Sequence, residues 1–136
     1  MIHCSDKCRH RGSLKKNGCK ITCCVCEFIC EIDGCEIEGG CDAIAVAKDT
    51  ILIIEAKGGR LRREDAKDAV RQLLVCLEKY RLDTLRDVEV IPVVMYKSRV
   101  ESYARTYLYK GPHELKRKGL KPILHRCGDD LSRIIL

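Results

Sequence analysis

The run Asp42-Ala-Ile-Ala-Val-Ala-Lys-Asp-Thr-Ile-Leu-Ile-Ile-Glu-Ala-Lys57 decides how this chain folds. Val and Ile dominate it, Lys48-Asp49 is its one strongly polar internal dipeptide, and Gly58-Gly59 follows it. That pattern predicts two strands around a short turn. With Lys48 and Asp49 as a two-residue turn, Asp42 stands opposite Glu55.

Side chains alternate across a strand, so Asp42, Ile44 and Val46 share a face with Ile51, Ile53, Glu55 and Lys57. Directly opposed like charges destabilise an antiparallel pair by about 0.2–1 kcal/mol, and by more where water is excluded. A divalent cation between them would reverse the sign. Two carboxylates with a backbone carbonyl and water make the hard-oxygen site that magnesium or manganese prefers. The plainer reading puts both acids at strand ends in solvent, with Lys57 paired to one of them.

Asp42, Glu55 and Lys57 in this setting resemble the active-site hairpin of the PD-(D/E)XK nuclease superfamily. That group includes restriction enzymes, archaeal Holliday-junction resolvases and RecB-like nucleases. The close part of the match covers Glu38 to Gly59, and a looser part extends to Val94. Cys41 stands where the family name has Pro, and no preceding helix carries the glutamate usual in the family. The resemblance implies a restriction-endonuclease-like fold and hydrolysis of DNA. It implies Mg²⁺ or Mn²⁺ held by Asp42, Glu55 and the Ala56 carbonyl, with Lys57 acting on the attacking water or the phosphate. In RecB-like relatives a glutamine on the following helix, in a Gln-x-x-x-Tyr pattern, supports the site. Gln72 occupies that place, with Cys76 at the tyrosine position and Tyr80 one turn later. A junction-resolving or restriction-type enzyme of this size would act as a symmetric homodimer.

At 136 residues the chain has enough length for one domain with a real core. A formal net charge of +6 favours a polyanionic partner, although a modest basic excess also arises as a plain solvated surface. No apolar run is long enough for a membrane span, and the first residues lack a signal-peptide core, so we expect a cytoplasmic protein without membrane contact. Asn17 and Gln72 are the only side-chain amides, Trp is absent, and 34% of residues are charged. Few thermolabile amides among many charges is a hyperthermophile pattern.

Eleven cysteines conflict with that pattern unless they are bonded, and hyperthermophile proteins are the intracellular exception that keeps disulfides. Nine lie between Cys4 and Cys41; Cys76 and Cys127 lie beyond. Disulfide stapling is the favoured reading. A Zn²⁺ site is the competitor, because Cys4-x3-Cys8 and Cys23-x2-Cys26 have roughly the required spacing. An iron–sulfur cluster of the kind some RecB-like nucleases carry usually draws three cysteines from after the core, where only Cys127 stands. The odd count leaves at least one thiol unpaired or bonded between chains.

Lys20 to Asp33 reads as a strand, and Asp33-Gly34 as a two-residue hairpin turn. In that register Cys26 faces Cys41, and Glu27 lies on the Asp42 face, as does Glu38. Either acid could complete the metal's ligands, or simply be a surface group. A helix from Glu64 to Tyr80 follows, with Ala66, Ala69, Val70, Leu73, Leu74 and Leu77 as its apolar stripe. Arg63, Lys67 and Arg71 form a second row, for helix salt bridges or for phosphate. Asp87 to Lys97 is a further strand in which Pro92 indicates an edge or bulge. Residues 100–109 form a helix ended by Gly111-Pro112. A short strand from Pro122 to His125 and a terminal helix from Asp129 to Ile135 complete the chain.

The expected architecture is a single α/β domain with a central mixed sheet flanked by helices. Residues 1–18 form an irregular basic arm, 19–97 the core and 98–136 a basic extension. Besides the nuclease, two functions fit: a catalytically silent DNA-binding module of the same fold, and a cysteine-based metal or redox protein.

Overall fold

The computed structural model describes residues 2–135. In chain order the strands are β1 (Arg9–His10), β2 (Ser13–Lys16), β3 (Cys19–Thr22), β4 (Phe28–Glu31), β5 (Ala43–Val46), β6 (Thr50–Lys57), β7 (Glu89–Tyr96) and β8 (Ile123–Arg126). The helices are α1 (Arg63–Lys79), α2 (Ser102–Lys110), α3 (His113–Arg117) and α4 (Ser132–Ile135). The central hairpin forms in the expected register, with Ala43 opposite Ile54 and Ile44 opposite Ile53. The Ala47 N–H donates to the Thr50 carbonyl at 2.9 Å, closing the turn at Lys48-Asp49.

Six strands make one mixed sheet in the order β1-β4-β5-β6-β7-β8. β1, β4, β5 and β6 run antiparallel to their neighbours, whereas β6, β7 and β8 are parallel. Every residue of β5 is buried, as is every residue of β6 except Lys57. Burial on both faces explains why the hairpin is apolar at nearly every position rather than alternating with polar residues.

Alternation still decides which layer each side chain enters. Ile44, Val46, Ile51 and Ile53 pack with Ala66, Ala69, Val70, Leu73 and Leu77 of α1. On the other face Ala43, Ala45, Leu52, Ile54 and Ala56 pack with Leu14, Cys19 and Ile21 of the separate β2–β3 hairpin and with Leu131 near the C-terminus. One face is therefore helical, and the other is covered mainly by a small β-hairpin.

Pro92 sits in the half of β7 that β8 leaves uncovered, since β8 pairs only from Val93 onward. Its missing N–H is tolerated there because that half of the strand is an edge. None of the described helices is long and apolar enough to cross a membrane.

The N-terminal third departs from expectation. Residues 2–18 hold two strands in place of an irregular arm, and the single strand expected over Lys20–Asp33 is replaced by β3, which starts at Cys19, and β4. Asp33-Gly34 does not form a two-residue hairpin. The chain instead turns about the Ile32 carbonyl, which accepts the N–H groups of Cys35, Glu36 and Ile37. β4 consequently pairs with β5 in another register, with Cys30 opposite Ile44. Cys26 does not face Cys41, and Glu27 falls on the side of the sheet away from Asp42.

Ten cysteines pair as Cys4–Cys30, Cys8–Cys35, Cys19–Cys127, Cys23–Cys26 and Cys41–Cys76, and Cys24 is an exposed free thiol. All four cysteines of the zinc-like spacing are consumed in this set. Cys4, Cys30 and Glu36 converge as a metal site would, but the two sulfurs are bonded to each other and offer no thiolate. The region beyond residue 98 is less an extension than a closing element, because β8 joins the sheet and Cys127 is bonded to β3.

Candidate metal and catalytic site

Asp42 directly precedes β5, while Glu55, Ala56 and Lys57 end β6, so the four gather at one end of the sheet. Asp42 is 2% exposed and Glu55 5%, which rules out two acids standing in solvent. Asp42 Oδ2 accepts the Ala56 N–H at 2.8 Å. Lys57 Nζ lies 3.5 Å from Glu55 Oε2 and 2.8 Å from Asp68 Oδ2 on α1, and Arg71 holds the other oxygen of Asp68 at 2.8 Å. Glu55 Oε1 is buried and meets no hydrogen-bond partner among the described residues.

Burial dominates the electrostatics. It pushes the Asp42 carboxyl above its ordinary value, and the Ala56 N–H offsets only part of that. Burial and then the charge of Asp42 push Glu55 up to about 9. For Lys57 burial acts downward, but the Asp68 hydrogen bond and the charges of Glu55 and Asp68 outweigh it, so the amine is held above its usual range. At neutral pH, then, Glu55 carries a proton in the metal-free protein, and Lys57 is charged. An amine whose charged form is favoured is poorly suited to taking a proton from water; it suits negative charge on a phosphate.

These residues fit a hard divalent cation. Glu55 Oε1, the Asp42 carboxylate and the Ala56 carbonyl are all oxygen donors, and a doubly charged ion would displace the proton on Glu55. Mn²⁺ binding to the wild-type protein at pH 7 should therefore release about one proton per ion. Apparent affinity should rise about tenfold per pH unit until Glu55 titrates near 9. Calorimetry in buffers of different ionisation enthalpy measures the proton count; no release would mean that the ion binds elsewhere.

Gln72, which the resemblance places beside the site, makes no hydrogen bond to Asp42, Glu55 or Lys57. Its Oε1 accepts the Gly40 N–H at 2.9 Å, and the Cys41–Cys76 disulfide lies one turn further along α1. Together they hold the backbone that leads into Asp42. Glu27 and Glu38 are both exposed and supply no further ligand.

One neighbour is absent from the sequence-based site. Asn17 and Gly18 have φ of 52° and 73°, both left-handed, and form the tight turn joining β2 to β3. The Asn17 amide nitrogen lies 3.4 and 3.3 Å from the two Asp42 carboxylate oxygens and 3.2 Å from the Ala56 carbonyl. The signal was the Asn-Gly dipeptide itself, a strong hairpin marker between Ser13–Lys16 and Cys19–Thr22.

This turn presses on Gly58. A Cβ there would lie 1.8 Å from the Asn17 carbonyl oxygen and 3.0 Å from its carbon, both backbone atoms that cannot swing aside. Gly58→Ala should cost about 1–3 kcal/mol in thermal or denaturant unfolding by prying the hairpin off the sheet end. Gly59→Ala, which meets nothing within 4 Å, is the control. No protein-family model matches the chain, and neither a curated protein nor a solved structure matches it.

Proposed function

We propose that this protein is a metal-dependent nuclease that hydrolyses DNA phosphodiester bonds, with Mg²⁺ or Mn²⁺ held by Asp42, Glu55 and the Ala56 carbonyl. The observation that carries the reading is the buried pair: two acids out of solvent, one with an oxygen that meets no partner among the described residues, beside a charged amine. Burying carboxyls face to face is costly unless something compensates, and a cation is the compensation their chemistry suits. Bound there, the ion supplies polarisation of the scissile phosphate and a water of lowered pKa.

The chain's own groups do the rest. Asp42 is aimed by the Ala56 N–H, and α1 braces the loop before it through Gln72 and Cys76. Lys57 meets charge developing on the phosphate, with Asp68 fixing its position. The hairpin, then α1, then the parallel strand β7 follow in the order of a restriction-endonuclease-like core, which is the fold we assign. DNA as substrate is supported by the net charge of +6 and by a cavity of about 290 Å³ where Lys67, Arg71 and His113 stand beside Glu114 and the apolar Val70 and Leu74. Arg71 joins that cavity to the site, since it shares Asp68 with Lys57.

The test is a panel of linear duplex, flapped, four-way and single-stranded DNA with Mg²⁺ or Mn²⁺, assayed at low and high salt. We expect cleavage of at least one substrate, lost in chelator and steeply reduced by salt. Absence of cleavage across the panel would end the enzyme assignment and leave the silent DNA-binding module in its place.

A further inference from the structure

The donors assigned to the cation are few: two carboxylates and one carbonyl, where Mg²⁺ and Mn²⁺ seek octahedral oxygen coordination. The acids that might have added another, Glu27 and Glu38, are exposed. We infer that Asn17, carried on the tip of the β2–β3 hairpin, is a further metal ligand through its side-chain oxygen Oδ1. This rests on the metal site of the proposed nuclease and extends it to a residue outside the strand hairpin.

The argument starts from where the amide sits. Its nitrogen approaches both oxygens of Asp42 and the carbonyl of Ala56 at 3.2–3.4 Å, and these are three of the oxygens assigned to the ion. In metal-free protein an amide NH₂ is the right group to face them, because every neighbour there is an acceptor. Once a cation occupies that space the requirement inverts, and an oxygen must face it. A carboxamide meets either need by turning about its terminal torsion, without any backbone motion.

The backbone already holds the turn in place. Asn17 and Gly18 adopt the left-handed conformations that an Asn-Gly turn provides, and the Gly58 contact fixes the turn against the end of β6. The Cys19–Cys127 disulfide anchors the strand that follows. A second, independent feature points to a ligand beside Asp42: Glu55, opposite it in the hairpin register, is 5% exposed, and its Oε1 meets no hydrogen-bond partner among the described residues.

Composition makes the idea directly observable. Asn17 is the only Asn and Gln72 the only Gln, so the chain has only two side-chain carboxamide signals. In ¹⁵N-labelled, disulfide-bonded protein, titration with Mg²⁺ should shift the Asn17 NH₂ pair to saturation while the Gln72 pair stays put. Asn17→Gly preserves the left-handed turn but deletes the ligand. It should weaken Mn²⁺ binding by at least about ten- to a hundredfold in calorimetry, the loss typical of metal-site supporting groups, with unfolding temperature near wild type. Asn17→Asp keeps an oxygen donor and tolerates the turn, and should bind at least as tightly as wild type.

An unmoved Asn17 signal at saturation, or an Asn17→Gly variant with wild-type affinity, would overturn the assignment and leave Asn17 as a turn residue only. If Mn²⁺ binds and Asn17→Gly weakens it but no DNA is cut, the nuclease reading fails while the ligand assignment stands. If the wild-type protein binds no Mn²⁺, both fail together.

Discussion

Glu55→Gln should eliminate cleavage while making the metal-free protein more stable at alkaline pH. The loss follows from removing one of two carboxylates that hold the ion. Metal polarisation contributes several kcal/mol to transition-state stabilisation, and each 1.4 kcal/mol is tenfold, so a fall of at least about 10³ in rate is expected. The gain in stability follows from linkage. Glu55 titrates near its ordinary value of 4.5 when unfolded and at about 9 when folded, so between those values the folded state binds the extra proton. Stability of the wild type therefore declines as pH rises from about 5 to 9. A glutamine has no proton to lose, and its variant should lack most of that slope. Unfolding curves across this range with chelator present, beside cleavage rates with Mn²⁺, test both halves together. A variant that cuts at the wild-type rate, or one whose stability falls with pH just as steeply, would show that Glu55 is not the group described.

Lys57→Met separates the roles within the site. The Lys57 amine lies closer to Asp68 than to Glu55 and is held charged by both. Its removal should leave Mn²⁺ binding possible and slow cleavage by about 10²–10³, the scale for losing one electrostatic stabiliser. An enzyme using Lys57 as a base would instead lose its alkaline pH dependence in this variant.

What could be read in the sequence was the part governed by local rules. A polar dipeptide between two β-branched runs set the β5–β6 register, and the period of α1 set its buried stripe, so the opposition of Asp42 and Glu55 was visible. The N-terminal third obeys longer-range constraints. Asp33-Gly34 carries a strong hairpin signal, yet the connection runs from Ile32 to Asp42, with Asp33 Oδ1 accepting the Gly39 N–H at 2.7 Å. The register error that followed moved Glu27 to the wrong face and paired Cys26 with Cys41. No breaker residue separates Thr22 from Phe28, and the turn there is closed by the Cys23–Cys26 disulfide. β2 and β3 bury only Leu14, Cys19 and Ile21, with basic side chains between them, so their alternation was too sparse to stand out. Asn17 was hidden for that reason: its place at the site depends on a hairpin that folds over from the opposite layer.

That layer is attached by one long covalent link, and cutting it should be the largest single stability loss in the molecule. Cys19–Cys127 spans 108 residues of sequence, against 26, 27 and 35 for three other disulfides and 3 for Cys23–Cys26. In the chain-entropy account the stabilisation grows with the logarithm of the loop, giving about 5 kcal/mol for the longest and about 2 for the shortest. The longest link also supports its surroundings: the Cys127 N–H donates to the Tyr96 carbonyl at 2.8 Å, and the Gly128 N–H to the Lys20 carbonyl at 2.9 Å. Cys19→Ala with Cys127→Ala should lower the unfolding temperature by roughly 10–20 °C, about two to three times the effect of Cys23→Ala with Cys26→Ala. Because β3 continues directly from the Asn17 turn, the first double variant should also bind Mn²⁺ more weakly below its melting range, whereas the second should not. Equal melting shifts for the two pairs would mean that the β2–β3 layer is held by its apolar contacts with Leu52 and Ile54 rather than by the link.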